Sequence, residues 1–310
     1  MNKIEIYILG GFLGSGKTTL LRNILEQEKA AERRTAVLLN EMGSISIDSG
    51  FIDDSVPLKE LFDGCICCTI QDKLEVQLHE LLENNELDAI YIETTGAAHP
   101  VEVLDGIMSP LFADRLVYKG IITVVDLLRW KDRHKLSPHL RQLLLEQILH
   151  ADFIILNKQD LVTSTVAAEL QYSIQSVNSR AFSVLTTQSK ISLNTIQKVQ
   201  MVPKSVHNQL DVHHLHLQTI VHRFNHSVSQ EGFENWLRQL PDSIYRMKGY
   251  ISFTHSQYPY LFQYTYGMPL YLNEQMKMPL NLVIIGENLD QEGIVNSLRQ
   301  LEFSASNSGQ

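Results

Sequence analysis

Residues 10–19 read Gly-Gly-Phe-Leu-Gly-Ser-Gly-Lys-Thr-Thr, and the fold that we expect is decided by this stretch. It fits the pattern G-x-x-x-x-G-K-[ST] of a phosphate-binding loop. The fixed positions of the pattern are occupied by Gly11, Gly16, Lys17 and Thr18. A short apolar run, residues 4–9, precedes the loop as a buried strand would, and apolar residues at helical spacing follow it. Because strand, loop and helix occur in this order, an ordinary glycine turn is the weaker interpretation.

The loop predicts a nucleotide site with magnesium. Glycines let the backbone curl so that several N–H groups point at one anion, and the helix N-terminus adds partial positive charge. We expect Lys17 to act in catalysis by reaching the β- and γ-phosphates, and Thr18 to offer its hydroxyl to Mg²⁺. The other loop residues that we expect to contact the nucleotide are Gly11, Gly14, Ser15, Gly16 and Thr19.

Composition limits the class of protein. The chain has 310 residues, of which 44% are hydrophobic and 20% charged, as in an ordinary globular protein with room for two domains. Its net charge of −9 argues against a nucleic-acid partner, which favours a basic excess. The sequence shows neither a signal-peptide pattern nor an apolar run of membrane-spanning length, so we expect a cytoplasmic protein without a membrane partner.

Acidic residues follow the second apolar run, residues 36–39. Glu41 and Asp48 lie in the glycine- and serine-containing stretch after it. In phosphate-loop proteins the segment after the second strand commonly returns to the γ-phosphate and the metal. We therefore take Glu41 as a candidate catalytic residue and Asp48 as a candidate nucleotide ligand, with solvated surface carboxylates as the alternative.

A later strand, residues 88–93, ends at Glu93 and runs into Gly96. We expect Glu93 to act on Mg²⁺ through water and the Gly96 N–H to sense the γ-phosphate. Ala97 follows, so no glutamine stands there to orient the attacking water, and intrinsic hydrolysis should be slow. His99 and Glu41 are alternative helpers in that step.

Residues 153–160, Phe-Ile-Ile-Leu-Asn-Lys-Gln-Asp, predict guanine recognition at the end of another buried strand. The two carboxylate oxygens of Asp160 match the N1–H and exocyclic amine of guanine, a donor pair that adenine lacks. Asn157 can bond the base edge and brace the phosphate loop, and the stem of Lys158 can cover the base. GTP is therefore favoured over ATP.

Three cysteines, Cys65, Cys67 and Cys68, stand within four positions before a predicted helix. A helix N-terminus lowers the pKa of a thiol, and thiolates bind soft or borderline metals. Zinc prefers four ligands, so three thiolates would leave one position open, which suits metal exchange. Packing in a core and redox chemistry are the alternatives.

The order of elements predicts an α/β fold. Strands alternate with helices in residues 1–187, which indicates a phosphate-loop NTPase domain with a mostly parallel sheet and helices on both faces. Residues 188–211 are polar and predict a linker. Residues 212–303 predict a smaller α+β domain with an antiparallel sheet, and residues 304–310 a frayed tail.

Histidines near the start of the second domain are candidates for an auxiliary metal site. His214 and His216 are two apart and share a predicted strand face with His222. Pairs at this spacing can chelate a divalent metal. A polar, solvated strand face is the equally weighted alternative.

Together, the phosphate loop, Cys-x-Cys-Cys, Glu-Thr-Thr-Gly at 93–96 and Asn-Lys-x-Asp at 157–160 resemble the CobW-type metallochaperone GTPases, relatives of the urease and hydrogenase accessory GTPases. Arg-Met-Lys-Gly at 246–249 resembles that family's C-terminal module. The resemblance implies a GTPase that binds zinc or another transition metal at the three cysteines and delivers it to a client metalloprotein. Many members carry an acid where this chain has Ser44.

Two other functions remain open from the sequence. One is a metal-storage or sensing protein in which GTP only sets the affinity for metal, and the other is a small-molecule kinase. The guanine motif and the cysteines argue against the kinase. The sequence leaves open whether the protein forms a homodimer.

Overall fold

The computed structural model of the chain describes residues 3–40, 58–60, 70–96, 100–107, 109–199, 218–241, 243–265, 268–286 and 289–307. These residues fall into two compact units. The first comprises Met1–Ile107 with Val117–His214, and the second Met108–Leu116 with Leu215–Gln310. No helix in the described part of the chain is both long and apolar enough to cross a bilayer.

The first unit is built on a sheet that has seven strands among the described residues. They are β1 (Ile4–Gly11), β2 (Thr35–Asn40), β3 (Leu58–Glu60), β4 (Ala89–Thr94), β5 (Leu116–Asp126), β6 (Phe153–Asn157) and β7 (Phe182–Leu185). Their order across the sheet is β3-β2-β4-β1-β5-β6-β7. The pairs β1–β4, β2–β3, β2–β4, β5–β6 and β6–β7 are parallel. The predicted α/β fold class is therefore confirmed.

Helices connect these strands. They are α1 (Lys17–Ala30), α2 (Ile70–Asn84), α3 (Pro100–Ile107), α4 (Leu127–Lys131), α5 (Pro138–Leu149), α6 (Ser164–Gln175) and α7 (Leu193–Val199). Strands β4 and β6 are buried along their whole length, which explains their continuous apolar sequence. Parallel strands end at one edge of the sheet, so the loops that follow β1, β4, β5, β6 and β7 lie at that edge.

The C-terminal end of α1 is fixed to the sheet by a buried carboxylate. Glu28 accepts a hydrogen bond from the Tyr91 hydroxyl of β4, and Arg33 Nη1 lies 3.1 Å from its Oε1. Burial raises the pKa of Glu28, an effect that the bonds from Tyr91 and Arg33 partly oppose. Because the phosphate loop leads into α1, this network also fixes the direction from which the helix approaches the loop.

The second unit contains a five-stranded antiparallel sheet and two helices among its described residues. Its elements are β8 (Gln218–Arg223), α8 (Gln230–Leu237), β9 (Ile244–Ile251), β10 (Tyr260–Thr265), β11 (Met268–Asn273), β12 (Asn281–Gly286) and α9 (Gln291–Asn307). The strand order is β11-β10-β9-β12-β8. Side chains of both helices pack on one sheet face, with Phe233, Met247, Phe262, Ile284 and Leu298 at its centre.

The predicted linker and tail both contain helix. Within residues 188–211, α7 packs Leu193 and Ile196 into the core of the first unit. Leu193 and Ile196 are the buried apolar side chains among the α7 residues whose burial is described, and two such positions are too few for a helical pattern to stand out from its polar surroundings. Helix α9 likewise continues to Asn307, three residues beyond the start of the predicted tail.

Candidate functional site

The phosphate loop connects β1 to α1 and is closely packed. Gly16, the residue before α1, has φ +112°, a conformation that L side chains rarely adopt. A Cβ there would lie 2.4 Å from Asn157 Nδ2 and 2.9 Å from Ser189 Oγ. Glycine is therefore required at this position by both the backbone conformation and the neighbours. Thr18 and Thr19, in the first turn of α1, are exposed.

Lys17 is held inside the loop. Its side chain is buried, and its Nζ donates to the carbonyl oxygens of Gly11 at 2.8 Å and Phe12 at 3.4 Å. The ammonium group thus lies within the curl of backbone where N–H groups collect around an anion.

Thr18 and Glu93 meet although they come from different elements. Thr18 Oγ1 donates to Glu93 Oε1 at 2.8 Å. Glu93 is buried near the carboxyl end of β4, where it is paired with Leu9 of β1 and Leu39 of β2. A hydroxyl and a carboxylate beside a phosphate loop are hard oxygen donors of the kind that Mg²⁺ prefers. The donor set present therefore fits the predicted magnesium ion.

Gly96 contacts the phosphate loop directly. A Cβ on it would lie 2.5 Å from the backbone nitrogen of Leu13, so a larger residue would separate the two segments. The Gly96 carbonyl accepts a hydrogen bond from Gln147 Nε2 of α5 at 3.1 Å. Gln147 is buried, and its backbone carbonyl accepts a hydrogen bond from the Thr123 hydroxyl of β5 at 3.0 Å. Gln147 therefore helps to position the predicted γ-phosphate sensor.

Asn157 joins three segments at the carboxyl edge. Its Nδ2 donates to the Ser15 carbonyl at 2.8 Å, and its Oδ1 accepts from the Ser189 backbone N–H at 2.8 Å. Thr186 Oγ1 lies 3.4 Å from the same oxygen. Asn157 is 3% exposed, so these bonds form away from water. The structure thus has the bracing contact with the phosphate loop that the sequence predicted.

Lys158 and Asp160 follow on the same turn. Lys158 has φ 64°, and its Nζ donates to the Gly14 carbonyl at 2.8 Å and to Asp126 Oδ2 at 2.7 Å. Its aliphatic stem is consequently stretched between β6 and the phosphate loop. Asp160 lies in a short 3-10 turn, Gln159–Leu161, and is exposed. Its carboxylate is accessible to a base placed beside the Lys158 stem.

The segment after β7 belongs to this site, and the sequence prediction missed it. Ser189 is fully buried, and its Oγ donates to the Gly16 carbonyl at 3.1 Å. Asn23 of α1 donates to the carbonyls of Gln188 and Ser189 at 3.0 and 3.2 Å. The predicted linker begins at this segment. Its position after another parallel strand was the signal that it lies at the carboxyl edge.

The remaining predicted site residues lie outside the described part of the chain. They are the acids Glu41 and Asp48, the alternative helper His99, the cysteines Cys65, Cys67 and Cys68, and the histidines His214 and His216. Within the described ranges, no group of three or more His, Cys, Asp or Glu side chains is arranged to hold a metal ion. The metal-ligand predictions therefore remain predictions.

His222 does not lie on a polar, solvated strand face, which was one of the two interpretations of the histidines in the sequence. Its side chain is buried, with Nε2 3.4 Å from Glu302 Oε2 of α9 and the ring edge-on to Phe224. Burial lowers the pKa of His222, and the nearby Glu302 carboxylate partly opposes this. Ile220 and Phe224, on the same side of the chain, are also buried. This face of the strand forms core, because helix α9 packs over it.

Family models match both units of the chain. The model described as the CobW/HypB/UreG nucleotide-binding domain matches residues 5–184, which include the phosphate loop, Glu93 and the Asn-Lys-x-Asp turn. The chain belongs to this family. A second model, the C-terminal domain of the cobalamin synthesis protein cobW, matches residues 217–302. The predicted family resemblance is confirmed.

Curated relatives of this CobW/HypB/UreG protein share about a third of the aligned residues. The zinc chaperone YjiA of Escherichia coli is 34% identical over 203 residues, which is 63% of this chain and 61% of that protein. The zinc-regulated GTPase metalloprotein activator 1 of Schizosaccharomyces pombe is 34% identical over 209 residues, or 62% and 47% of the two chains. The chain thus spans about half to three fifths of these relatives' lengths.

A solved structure supports the fold over nearly the whole chain. The crystal structure of Zn(II)-bound YjiA GTPase from E. coli superposes with a TM-score of 0.51 and 24% sequence identity. The match covers 97% of this chain and 99% of that one. At this level of identity the likeness concerns the fold.

Proposed function

We propose that this CobW/HypB/UreG protein hydrolyses GTP and uses the nucleotide cycle to hand a zinc ion, or another transition metal, to a client metalloprotein. The nucleotide part rests on one observation above all. Asn157 of the guanine motif is hydrogen-bonded to Ser15 of the phosphate loop, so the two nucleotide-binding motifs form one unit. The metal part draws on relatives named zinc chaperones and on the Cys-x-Cys-Cys sequence.

The residues around the phosphate loop have separate roles in binding the nucleotide. Lys17 turns from the carbonyls of Gly11 and Phe12 towards the β- and γ-phosphates. Thr18 would bind Mg²⁺ through its hydroxyl, and Glu93 would act on the ion through water. When bound, the ion neutralises charge that develops on the phosphate oxygens. The Gly96 N–H contacts the γ-phosphate, and the Gln147 bond to the Gly96 carbonyl keeps that N–H in place.

Base selection falls to the turn after β6. The Asp160 carboxylate accepts from the N1–H and exocyclic amine of guanine, while the Lys158 stem covers one face of the ring. The Asp126 carboxylate, 2.7 Å from Lys158 Nζ, keeps that stem extended. An aspartate offers two acceptors and no donor. Adenine lacks the matching pair of donors, so its binding would leave the Asp160 acceptors unpaired and is disfavoured.

Hydrolysis is slow without a partner. Ala97 occupies the position after Gly96, so the chain offers no amide there to orient water. Glu41 is the residue to which we assign that step, and Asp48 completes the contacts around the γ-phosphate. A slow intrinsic rate suits a protein that waits, loaded, for its cytoplasmic client.

Three thiolates at Cys65, Cys67 and Cys68 form the proposed transfer site. With one position of a four-ligand metal left open, an incoming ligand from a client can enter before a cysteine leaves. Transfer by this ligand exchange is faster than a route in which the free ion is first released into water. The segment 61–69 that carries the cysteines lies in sequence between Glu41 and Glu93, both assigned to the nucleotide site.

The test is metal stoichiometry of the tag-free protein. Cys65→Ser, Cys67→Ser and Cys68→Ser together should remove one tight zinc site in competition with a chelator, while GTP binding persists. The matched control replaces His213, His214 and His216, and should leave that site intact. Loss of the tight site in the histidine variant, with retention in the cysteine variant, would contradict the assignment.

The response of GTP hydrolysis to a client protein distinguishes a metal chaperone from a metal-storage protein. Hydrolysis by a chaperone accelerates when an apo client accepts the metal, whereas in a storage or sensing protein GTP only sets the affinity for metal and turnover does not respond to a client. Candidate clients are apo metalloproteins that co-purify with the GTP-analogue-bound form. Turnover that never responds to any such apo protein would favour the storage function.

A further inference from the structure

Strand β11 is at an edge of the second unit's sheet as far as the described residues go, and it carries an apolar stripe. Met268, Leu270 and Leu272 alternate along it and are 71%, 50% and 48% exposed. Tyr271 points to the opposite face and packs on the core. Exposed apolar side chains along an unpaired strand edge are a recognised site of strand addition.

The backbone groups at this edge can be assigned from the register. Tyr260 of β10 lies opposite Asn273, so Pro259 lies opposite Glu274. The Glu274 N–H donates to the Pro259 carbonyl at 2.9 Å, which makes this a hydrogen-bonded pair. Such pairs alternate along an antiparallel ladder, so even-numbered residues of β11 bond to β10. The N–H and C=O groups of Tyr271 and Asn273, and the C=O of Pro269, therefore point outward.

We propose that β11 pairs antiparallel with β11 of a second copy of this chain, about a two-fold axis at Tyr271. In this register the Tyr271 N–H and C=O of each copy bond the same groups of the other. The Asn273 N–H of each copy then meets the Pro269 carbonyl of the other. Four backbone hydrogen bonds result, and two five-stranded sheets become one of ten strands.

The side chains favour a second copy over an unrelated strand. Leu270 of one copy lies opposite Leu272 of the other, and the reverse pair is identical by symmetry. Both exposed leucines of each copy are thus covered by the same interface that pairs the backbone. Pro269 has no N–H to offer, so it limits the outward edge to a short stretch centred near Tyr271. This assembly does not depend on the proposed nucleotide or metal chemistry.

Sedimentation equilibrium of the full chain over the micromolar range tests the proposal, without nucleotide and with chelator. The wild type should be a dimer in equilibrium with monomer. The double variant Leu270→Lys with Leu272→Lys places like charges opposite each other and should be monomeric. The double variant Leu270→Lys with Leu272→Glu is as polar but pairs opposite charges across the axis, so it should dimerise.

Controls separate this interface from general surface effects. Tyr172→Lys changes a side chain of α6 that is 76% exposed in the first unit, and should dimerise like the wild type. Circular dichroism melts should show that both leucine variants are folded. A monomeric wild type, a dimer that survives the Lys/Lys variant, or a Lys/Glu variant as monomeric as the Lys/Lys variant would each overturn the proposal.

Discussion

Replacing Asn157 by alanine should destabilise the first unit and weaken GTP binding together. The side chain donates to the Ser15 carbonyl at 2.8 Å and accepts from the Ser189 N–H at 2.8 Å, in a position that is 3% exposed. Asn157→Ala leaves both backbone groups without this partner. A buried unsatisfied group costs about 1–3 kcal/mol, so the two groups together should lower the unfolding free energy by about 2–6 kcal/mol, and by less where water enters the site.

Urea unfolding of the nucleotide-free protein measures this loss. Asn157→Asp is the matched variant, because it keeps the acceptor for Ser189 and loses only the donor to Ser15. It should still be destabilised, since a carboxylate oxygen would then face the Ser15 carbonyl. Asp160→Asn is the control. Asp160 is exposed, so stability should stay within about 0.5 kcal/mol, as for most surface substitutions.

Nucleotide preference separates the bracing role of Asn157 from the base-selecting role of Asp160. Asp160→Asn should weaken GTP binding and favour xanthine nucleotides, because the amide can donate to the xanthine carbonyl. Asn157→Ala should weaken both nucleotides without changing the preference. If Asn157→Ala unfolds at the wild-type urea concentration, Asn157 does not brace the loop in the manner described. Equal wild-type affinity for ATP and GTP would refute the base assignment.

Two further predictions concern Gln147 and His222. Gln147→Leu removes a hydrogen bond to the Gly96 carbonyl that is worth about 1 kcal/mol. GTP turnover should therefore fall roughly fivefold, while the affinity for GDP stays unchanged. A matching loss of GDP affinity would show that Gln147 acts on the whole loop. Because burial lowers the pKa of His222, the folded second unit favours the neutral ring, and its stability should fall as pH drops below the ordinary value of 6.5. His222→Gln should flatten that fall in urea unfolding followed by Trp236 fluorescence, and an unchanged pH profile would contradict the burial argument.

The nucleotide motifs could be predicted from sequence because each is contiguous. A phosphate loop, or an Asn-Lys-x-Asp turn, places its donors and acceptors within a few residues, so spacing alone carries the chemistry. Parallel strands then bring the motifs to one edge, as the alternation of strands and helices implies. Thr18 and Glu93 come together because both lie at that edge, and in the structure their oxygen atoms are 2.8 Å apart.

Other parts of the site could not be predicted because their partners are distant in the chain. Gln147 is one polar residue of α5, and nothing in the helix pattern shows that its amide meets Gly96. Ser189 follows β7 in a polar stretch whose composition is typical of a linker. Strand β11 is hard to identify from sequence, since Pro269 and the exposed side chains around it resemble a loop. The burial of His222 could not be predicted, since the covering helix α9 lies far along the chain.

Zinc affinity measured in three nucleotide states tests the central claim most directly. In the proposed cycle, binding of GTP rearranges the segments that flank Cys65, Cys67 and Cys68, so nucleotide and metal affinities are linked. Such linkage is reciprocal and typically about 1–3 kcal/mol, or roughly 5- to 150-fold in affinity. Zinc is titrated against a competing chelator into the apo, GDP-bound and GTP-analogue-bound protein, with correction for metal bound by the nucleotide itself. The account predicts that the GTP-analogue state differs from the GDP state by a factor in this range, and identical zinc affinities in all three states would contradict it.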